Sequence, residues 1–280
     1  MGAAQDEARS VRVGFVGLGS QGGPMAQRIV EAGYPTTLYA RRPATLAPFE
    51  DGPVEVAGSL VELGASSDVV GVCVVDDADV AEVVRGPGGL LEGASPGTVI
   101  AVHSTVHPRT CRDLAKEAAA RGVVLIDAPV SGGGVAAAAG RLLVMVGADE
   151  PTFARSRPVF STYGDPVLLM GPVGTGQVTK LVNNMLMLAH LATADDAFAL
   201  GASLGLGTEP LTQAFGAGSG RSFALGLHRG RALLPAALLG KDLELARAVV
   251  TEAGLEFGPL LEAASRGLAL IVGAPPSSSR

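Results

Sequence analysis

The sequence predicts an α/β fold, in which an N-terminal doubly wound sheet is followed by an all-α C-terminal domain. Up to about residue 165, short apolar runs alternate with helical patterns, and such alternation indicates a parallel sheet with helices on both faces. Over 174–204 the pattern becomes one continuous helix, and only helical patterns follow it. We therefore predict a sheet domain over 1–170 and a helical domain over 171–280, joined by a long interdomain helix.

The first strand and the turn after it predict a dinucleotide site. Residues 11–16 are typical of a short buried strand, and a glycine-rich turn and a helix follow it. In that context the glycines of a Gly-x-Gly-x-x-Gly turn allow the tight turn, the approach of the backbone to a pyrophosphate and the packing of the helix. Helix N–H groups then hold the anion. The residues predicted to contact the cofactor in this turn are Gly17, Leu18, Gly19, Gln21 and Gly22.

This motif is weak when taken alone, because the chain contains 39 glycines. A glycine-rich turn without a ligand therefore remains an alternative. The strand before the turn and the helix after it favour a Rossmann-type nucleotide-binding domain.

The second strand, 36–40, ends where folds that prefer NAD usually place an acidic residue against the ribose hydroxyls. Here the chain has Arg41 and Arg42 instead. Two guanidinium groups suit the 2′-phosphate of NADP, which an acidic side chain would repel. We predict NADP(H) as the cofactor, with NAD as a second possibility; the alternative is a solvated basic loop.

The next two strands predict further contacts with the cofactor. Strand 68–75 ends at Val75, and strand 98–102 leads through His103 into Ser104 and Thr105. Ligands of open parallel sheets bind outside the carboxyl ends of the strands, so Val75 and Thr105 are predicted to border the cofactor. Ordinary loop residues remain the alternative.

Strand 123–127 leads into a loop that contains Ser131, Gly132 and Gly133. A serine hydroxyl beside successive glycine N–H groups forms a cradle that suits a carboxylate. The alternative is a flexible connector. Two further strands, 141–147 and 166–170, are predicted to complete the sheet.

The helix over 174–204 carries Lys180 and, one turn later, Asn184. A lysine in an apolar pocket loses its proton more easily, because burial disfavours the charged form, and it can then act as a general acid or base. Gly176 is interpreted as leaving room for a ligand. A surface lysine is the alternative. Because the helix is apolar on more than one side, we predict that a second subunit covers it, in a homodimer or homotetramer.

Together these motifs resemble the β-hydroxyacid dehydrogenase family, of which 3-hydroxyisobutyrate dehydrogenases and tartronate semialdehyde or glyoxylate reductases are members and 6-phosphogluconate dehydrogenase is a larger relative. The resemblance spans about residues 11 to 272. It rests on the glycine turn, Ser104-Thr105, the 127–133 segment, the 171–184 segment and Lys241-Asp242-Leu243.

The resemblance implies a role for each residue. Lys180 protonates or deprotonates the substrate oxygen during hydride transfer, and Asn184 orients the lysine or the substrate hydroxyl. Ser131, Gly132 and Gly133 bind the carboxylate of a small 3-hydroxyacid or semialdehyde. Thr105 and Lys241 approach the cofactor from opposite sides, and Lys241 also lies near the substrate; a surface lysine paired with a neighbouring acid is the alternative for Lys241.

Three positions depart from the common family pattern. Gln21 stands where methionine is usual, Val75 where proline is frequent, and Val102 where aspartate often precedes the Ser-Thr pair. These changes leave Lys180 in place and put the identity of the substrate in doubt.

Two other functions are alternatives to a dehydrogenase. Imine reductases share the architecture but commonly replace the lysine with aspartate or tyrosine. A non-catalytic NADP-binding protein usually loses the lysine as well. The presence of both Lys180 and Asn184 favours the dehydrogenase.

Composition limits the remaining possibilities. The chain has 280 residues, 48% of them hydrophobic and 17% charged, which is enough for two domains with a large core. A net charge of −6 argues against nucleic acid as a partner. The two cysteines show no disulfide pattern, and the four histidines show no metal-ligand pattern.

The sequence shows neither a secretory signal nor an apolar run long enough to span a membrane, so we predict a soluble cytoplasmic protein without a membrane partner. The tail over 274–280 is predicted to be disordered.

Overall fold

The computed structural model describes residues 11–228 and 234–273, so the predicted disordered tail lies outside the described residues. The chain divides into two compact units, Met1–Lys180 and Leu181–Arg280. The division falls inside a single helix, Thr175–Ser203.

The first unit contains a mainly parallel sheet. Its nine described strands are β1 Val13–Val16, β2 Thr36–Tyr39, β3 Val54–Val56, β4 Val69–Val72, β5 Val99–Val102, β6 Val124–Asp127, β7 Val130–Ser131, β8 Leu142–Gly147 and β9 Gly164–Gly171. They lie in the order β3-β2-β1-β4-β5-β6-β8-β7, with β9 paired to β8. Strands β3, β2, β1, β4, β5 and β6 run parallel, whereas β8 is antiparallel to β6 and β7.

Helices cover both faces of this sheet. They are α1 Gly22–Glu31, α2 Leu60–Ala65, α3 Asp77–Arg85, α4 Leu90–Gly93, α5 Pro108–Ala119, α6 Gly133–Ala138 and α7 Glu150–Phe160, with a 3₁₀ helix at Pro43–Phe49. Alternate residues of β5 pack into two different cores: Val99 and Ala101 into one, Ile100 and Val102 into the other. The predicted doubly wound sheet is therefore confirmed.

Strand β4 is shorter than predicted. It ends at Val72, whereas the apolar run continues to Val75. The side chain of Asp76 accepts a hydrogen bond from the N–H of Asp79 and so caps α3, which draws the chain out of the sheet. Two short strands, β3 and β7, were not predicted.

Helices are the regular secondary structure of the second unit in its described residues. The last part of α8, Thr175–Ser203, is followed by α9 Thr208–Ala217, α10 Phe223–Leu227, α11 Ala236–Glu252 and α12 Pro259–Val272. Their core includes Leu188 of α8, Leu243 of α11 and Leu261 of α12. The 29 residues of α8 match the predicted long helix. Among the described helices, none is both long and apolar enough to cross a membrane.

Candidate active site

The carboxyl ends of the parallel strands bring several of the predicted site segments to one edge of the sheet. Because β1, β4, β5 and β6 run in the same direction, the segments that follow them lie side by side. Strand β7 is antiparallel to β8, which is itself antiparallel to β6, so β7 also ends at this edge. The glycine turn, Val75, Thr105 and Ser131 are thus collected within the first unit.

Two glycines of the turn, Gly17 and Gly22, are closely packed, whereas Gly19 faces open space. Gly17 has φ +95°, and a Cβ there would lie 2.1 Å from the carbonyl oxygen of Cys73. A Cβ at Gly22 would lie 2.0 Å from the carbonyl oxygen of Gly17, whereas one at Gly19 would meet nothing within 4 Å. Leu18 is buried, and Gln21 precedes α1 without capping it through its side chain. The open face at Gly19 is where the backbone can approach a pyrophosphate.

The two arginines after β2 are exposed. Arg41 Nη2 lies 3.0 Å from Asp79 Oδ1, and Arg41 Nη1 lies 3.9 Å from Glu82 Oε2. Arg42 immediately precedes the 3₁₀ helix. Because 62% of the Arg41 side chain is exposed, its ion pair with Asp79 is weak and leaves the guanidinium accessible to an anion.

The segments after β4 and β5 are joined by a hydrogen bond. The N–H of Val74 donates to Ser104 Oγ at 2.9 Å. The neighbouring Val75 is 58% exposed, and Thr105 is half-buried. An exposed valine at the edge of the sheet suits contact with an apolar part of a ligand.

The predicted carboxylate loop packs directly on the glycine turn. Ser131 ends β7 and is half-buried, and Gly132 and Gly133 have φ +132° and +72°. At the next residue, Gly134, a Cβ would lie 2.3 Å from the carbonyl oxygen of Ser20. The structure therefore places the predicted substrate loop against the predicted cofactor turn.

A buried carboxylate holds the start of α8. Asp127 Oδ1 accepts the N–H of Gly174 at 2.6 Å, and Asp127 Oδ2 accepts the N–H of Gln177 at 2.8 Å. Burial raises the pKa of Asp127 to about 6, although these two hydrogen bonds lower it. Asp127 and Gln177 were not predicted as site residues. For Asp127 the sequence did offer a signal, because an acidic residue stands at the end of an apolar strand.

The interpretation of Gly176 as room for a ligand is wrong. A Cβ at this position would lie 2.3 Å from the carbonyl oxygen of Met145 and 2.8 Å from Asp127 Oδ2. The backbone of β8 and the capping carboxylate fill this space. The missing side chain instead lets α8 pack closely against the sheet.

Lys180 is buried, with 9% of its surface exposed, and lies on α8 three residues after Gln177. This burial disagrees with the surface-lysine alternative. Residues three apart lie on the same side of a helix, so the turn held by Asp127 also carries Lys180.

Within the second unit, Asp242 connects two other predicted residues. Asn184 Nδ2 donates to Asp242 Oδ2 at 2.7 Å, and Lys241 Nζ lies 3.4 Å from Asp242 Oδ1. Asn184 and Asp242 are both buried, and 25% of the Lys241 side chain is exposed. Lys241 is thus paired with a neighbouring acid, which agrees with the alternative interpretation of this residue. The acid, Asp242, is however buried and accepts a hydrogen bond from Asn184. The role of Asp242 was not predicted.

His103 is buried, and both of its ring nitrogens have partners within the first unit. Its Nδ1 lies 2.8 Å from the carbonyl oxygen of Ala128, and its Nε2 lies 3.1 Å from the hydroxyl of Tyr163. Because a carbonyl oxygen only accepts, Nδ1 carries the hydrogen and Nε2 accepts from Tyr163. Burial lowers the pKa of His103 to about 4, so the ring is neutral near pH 7.

Two family models match the chain. The model described as the NAD binding domain of 6-phosphogluconate dehydrogenase matches residues 12–171. The model described as NAD-binding of NADP-dependent 3-hydroxyisobutyrate dehydrogenase matches residues 174–270. Together they cover both compact units.

Individual proteins are similar over most of the chain. An uncharacterised oxidoreductase of Mycobacterium tuberculosis is 40% identical over 195 residues, which are 70% of this chain and 66% of that protein. The 2-(hydroxymethyl)glutarate dehydrogenase of Eubacterium barkeri is 36% identical over 217 residues, which are 78% of this chain and 72% of that enzyme. The matched segment thus spans slightly less than two thirds of the first of these relatives.

Among solved structures, M. tuberculosis 3-hydroxyisobutyrate dehydrogenase with L-serine is similar with a TM-score of 0.84 and 29% identity. The similarity covers 94% of this chain and 94% of that one.

Proposed function

The chain belongs to the β-hydroxyacid dehydrogenase family, and on this premise we propose that it is an NAD(P)-dependent oxidoreductase acting on a small 3-hydroxyacid or its semialdehyde. The observation that carries the proposal is the burial of Lys180, on the helical turn that Asp127 caps at the edge of the sheet. A buried lysine close to a ligand-binding edge is suited to proton transfer.

The nicotinamide group, when bound, supplies the acceptor or donor of a hydride. The glycine turn fits such a cofactor, because space is open at Gly19 while Gly17 and Gly22 are closely packed. Val75 and Thr105, at the ends of the two adjacent strands, are proposed to border it.

Lys180 is proposed to move the proton. In the oxidising direction its neutral amine takes the proton of the substrate hydroxyl while the C–O bond becomes C=O. In the reducing direction its ammonium group returns the proton to the carbonyl oxygen. Asn184, held by Asp242, is proposed to orient the hydroxyl, and Lys241 to contact substrate and cofactor.

Ser131, Gly132 and Gly133 are proposed to bind the substrate carboxylate. Hydroxyl and backbone N–H groups in a glycine-rich loop provide donors for an anion without a bulky side chain in the way. The contact between Gly134 and Ser20 supports this role, because it places the loop next to the glycine turn.

The proposal is tested by measuring NADPH oxidation with a panel of small carbonyl acids, and NADP⁺ reduction with the corresponding 3-hydroxyacids. We expect turnover with at least one carboxylate-bearing substrate and much less with the matching methyl ester. Cyclic imines in the same panel test the alternative of a C=N reductase. Turnover of imines alone would contradict the dehydrogenase, and binding of NADPH without any turnover would support the non-catalytic alternative.

We also propose that the enzyme prefers NADPH, through Arg41 and Arg42. Replacing both arginines with alanine is expected to raise the KM for NADPH by at least about 10-fold, because even one hydrogen bond to a charged phosphate contributes about 1.5–3 kcal/mol. The KM for NADH should change little. Arg85→Ala is the matched control, because Arg85 is also an exposed arginine in an ion pair, with Glu117. An unchanged ratio of the two KM values in the double variant would refute the preference.

A second copy of the chain is proposed to cover α8. Val178, Val182 and Leu186 recur every four residues on this helix and are 37%, 45% and 45% exposed. Such an apolar stripe favours burial in an interface. Light scattering is expected to give at least twice the 28.1 kDa of one chain, and Val182→Glu is expected to lower this mass. A 28.1 kDa particle at micromolar concentration would rule out the dimer.

A further inference from the structure

Gln177 is a fully buried amide, with 0% of its surface exposed, and its side chain makes two hydrogen bonds to the segment after β5. Its Oε1 accepts the N–H of Val106 at 3.1 Å, and its Nε2 donates to the carbonyl oxygen of Ser104 at 2.8 Å. These two groups flank Thr105 on either side. The amide therefore holds the backbone around Thr105 from both ends.

The backbone of Gln177 is held as well. Its N–H donates to Asp127 at the end of β6. On the far side of the same segment, Ser104 Oγ accepts the N–H of Val74. Gln177 thus links the first turn of α8 to the carboxyl ends of β5 and β6, and Ser104 extends this link to the segment after β4.

We propose that Gln177 is a positioning residue, which sets the Lys180 amine relative to Thr105 so that proton transfer and hydride transfer can occur together. This inference rests on the proposed function. Lys180 follows Gln177 by three residues on a continuous helix, so fixing Gln177 restricts both rotation and sliding of the turn that bears the amine.

The chemistry of the amide explains why glutamine suits this position. One carbonyl group and one NH₂ group match one backbone N–H and one backbone carbonyl. An apolar side chain of the same size leaves both backbone groups buried without this partner, and the segment around Thr105 is then free to shift. A misplacement of about 1 Å can lower a reaction rate by about 10²-fold.

The test uses Gln177→Leu and Gln177→Glu in the full-length enzyme, with kcat expressed per NADPH-binding site. Gln177→Leu is expected to lower kcat by about 10²-fold, with the dissociation constant for NADPH changed by less than about threefold. Gln27→Leu is the matched control, because Gln27 is a partly exposed glutamine whose side chain donates to Glu31 on its own helix. Its kcat is expected to equal that of the wild type.

Gln177→Glu provides a readout that a purely structural role would not produce. A protonated carboxyl group has one donor and one acceptor, as the amide does, whereas its ionised form cannot donate to Ser104. Full burial of this position favours the protonated form. The thiol of Cys111, which is hydrogen-bonded to the Gln177 side chain, stays neutral because burial raises its pKa. The ratio of kcat for Gln177→Glu to kcat for Gln177→Leu is therefore expected to rise as the pH is lowered from 8 to 6.

The outcomes separate this inference from the proposed function. Wild-type kcat in folded Gln177→Leu, or a pH-independent ratio between the two variants, overturns the positioning role while leaving the enzyme assignment intact. If Gln177→Leu does not fold, the comparison of Gln177→Glu with the wild type across the same pH range replaces the ratio. If Lys180 proves dispensable for turnover, the proposed mechanism fails first.

Discussion

Replacing Lys180 with methionine is expected to lower kcat/KM by about 10²- to 10⁴-fold, the contribution that a positioned general acid or base makes. Methionine is unbranched and apolar, so it can occupy the buried site of the lysine while removing the amine. Binding of NADPH should persist, because the proposed cofactor contacts lie on the glycine turn, in the segments after β2, β4 and β5, and at Lys241. Fluorescence titration of NADPH alongside steady-state kinetics separates the two effects.

Lys116→Met is the matched control for this experiment. Lys116 lies on α5, its side chain is 79% exposed, and it pairs with Asp113 on the same helix. Exposed ion pairs of this kind contribute little, so the control should retain wild-type kinetics and stability. Turnover at the wild-type rate in Lys180→Met would remove the mechanism proposed above.

Replacing Gly176 with alanine is expected to give the largest loss of stability among these variants, about 3 kcal/mol in the free energy of unfolding. The new methyl group would lie 2.3 Å from the carbonyl oxygen of Met145 and 3.1 Å from the backbone nitrogen of Gly147. These are backbone atoms of β8, which cannot move aside as a flexible side chain can. Thermal unfolding followed by circular dichroism is expected to show a midpoint lower by about 10 °C.

Gly216→Ala tests whether the clash, rather than the substitution itself, causes this loss. Gly216 lies in α9, and a Cβ there would meet nothing within 4 Å. Alanine favours helix over glycine by about 1 kcal/mol, so this variant should keep or raise the unfolding midpoint. An unchanged midpoint in Gly176→Ala would show that α8 can move away from the sheet without loss, contrary to the tight packing described here.

Much of the fold could be predicted because its signals are local. A buried strand needs only a short apolar run, and the predicted strands at 36–40 and 123–127 correspond to β2 and β6. The long helix was also predicted within one residue at each end. Strand β3 was missed because it has three residues, too few for a periodic pattern.

The candidate site could be predicted only where a residue type and its near neighbours carry the signal. Lys180 and Asn184 are four apart on one helix, so their common side followed from the sequence. Gly176 was misinterpreted, because the sequence does not show whether the space beside a glycine is occupied by a ligand or by the backbone of another strand. Only the packing of α8 on β8 distinguishes these two cases.

The sequence by itself determined the alternation of strands and helices, the glycine turn and the spacing of Lys180 and Asn184 along one helix, since each depends on residues a few positions apart. Only the tertiary structure decided that Asp127 caps a helix 47 residues later, that Gln177 binds the segment at Ser104, 73 residues earlier, and that Asn184 meets Asp242, 58 residues away. Buried polar groups form hydrogen bonds with whichever groups the fold places next to them. A partner that is tens of residues away in the chain produces no periodic pattern in the sequence.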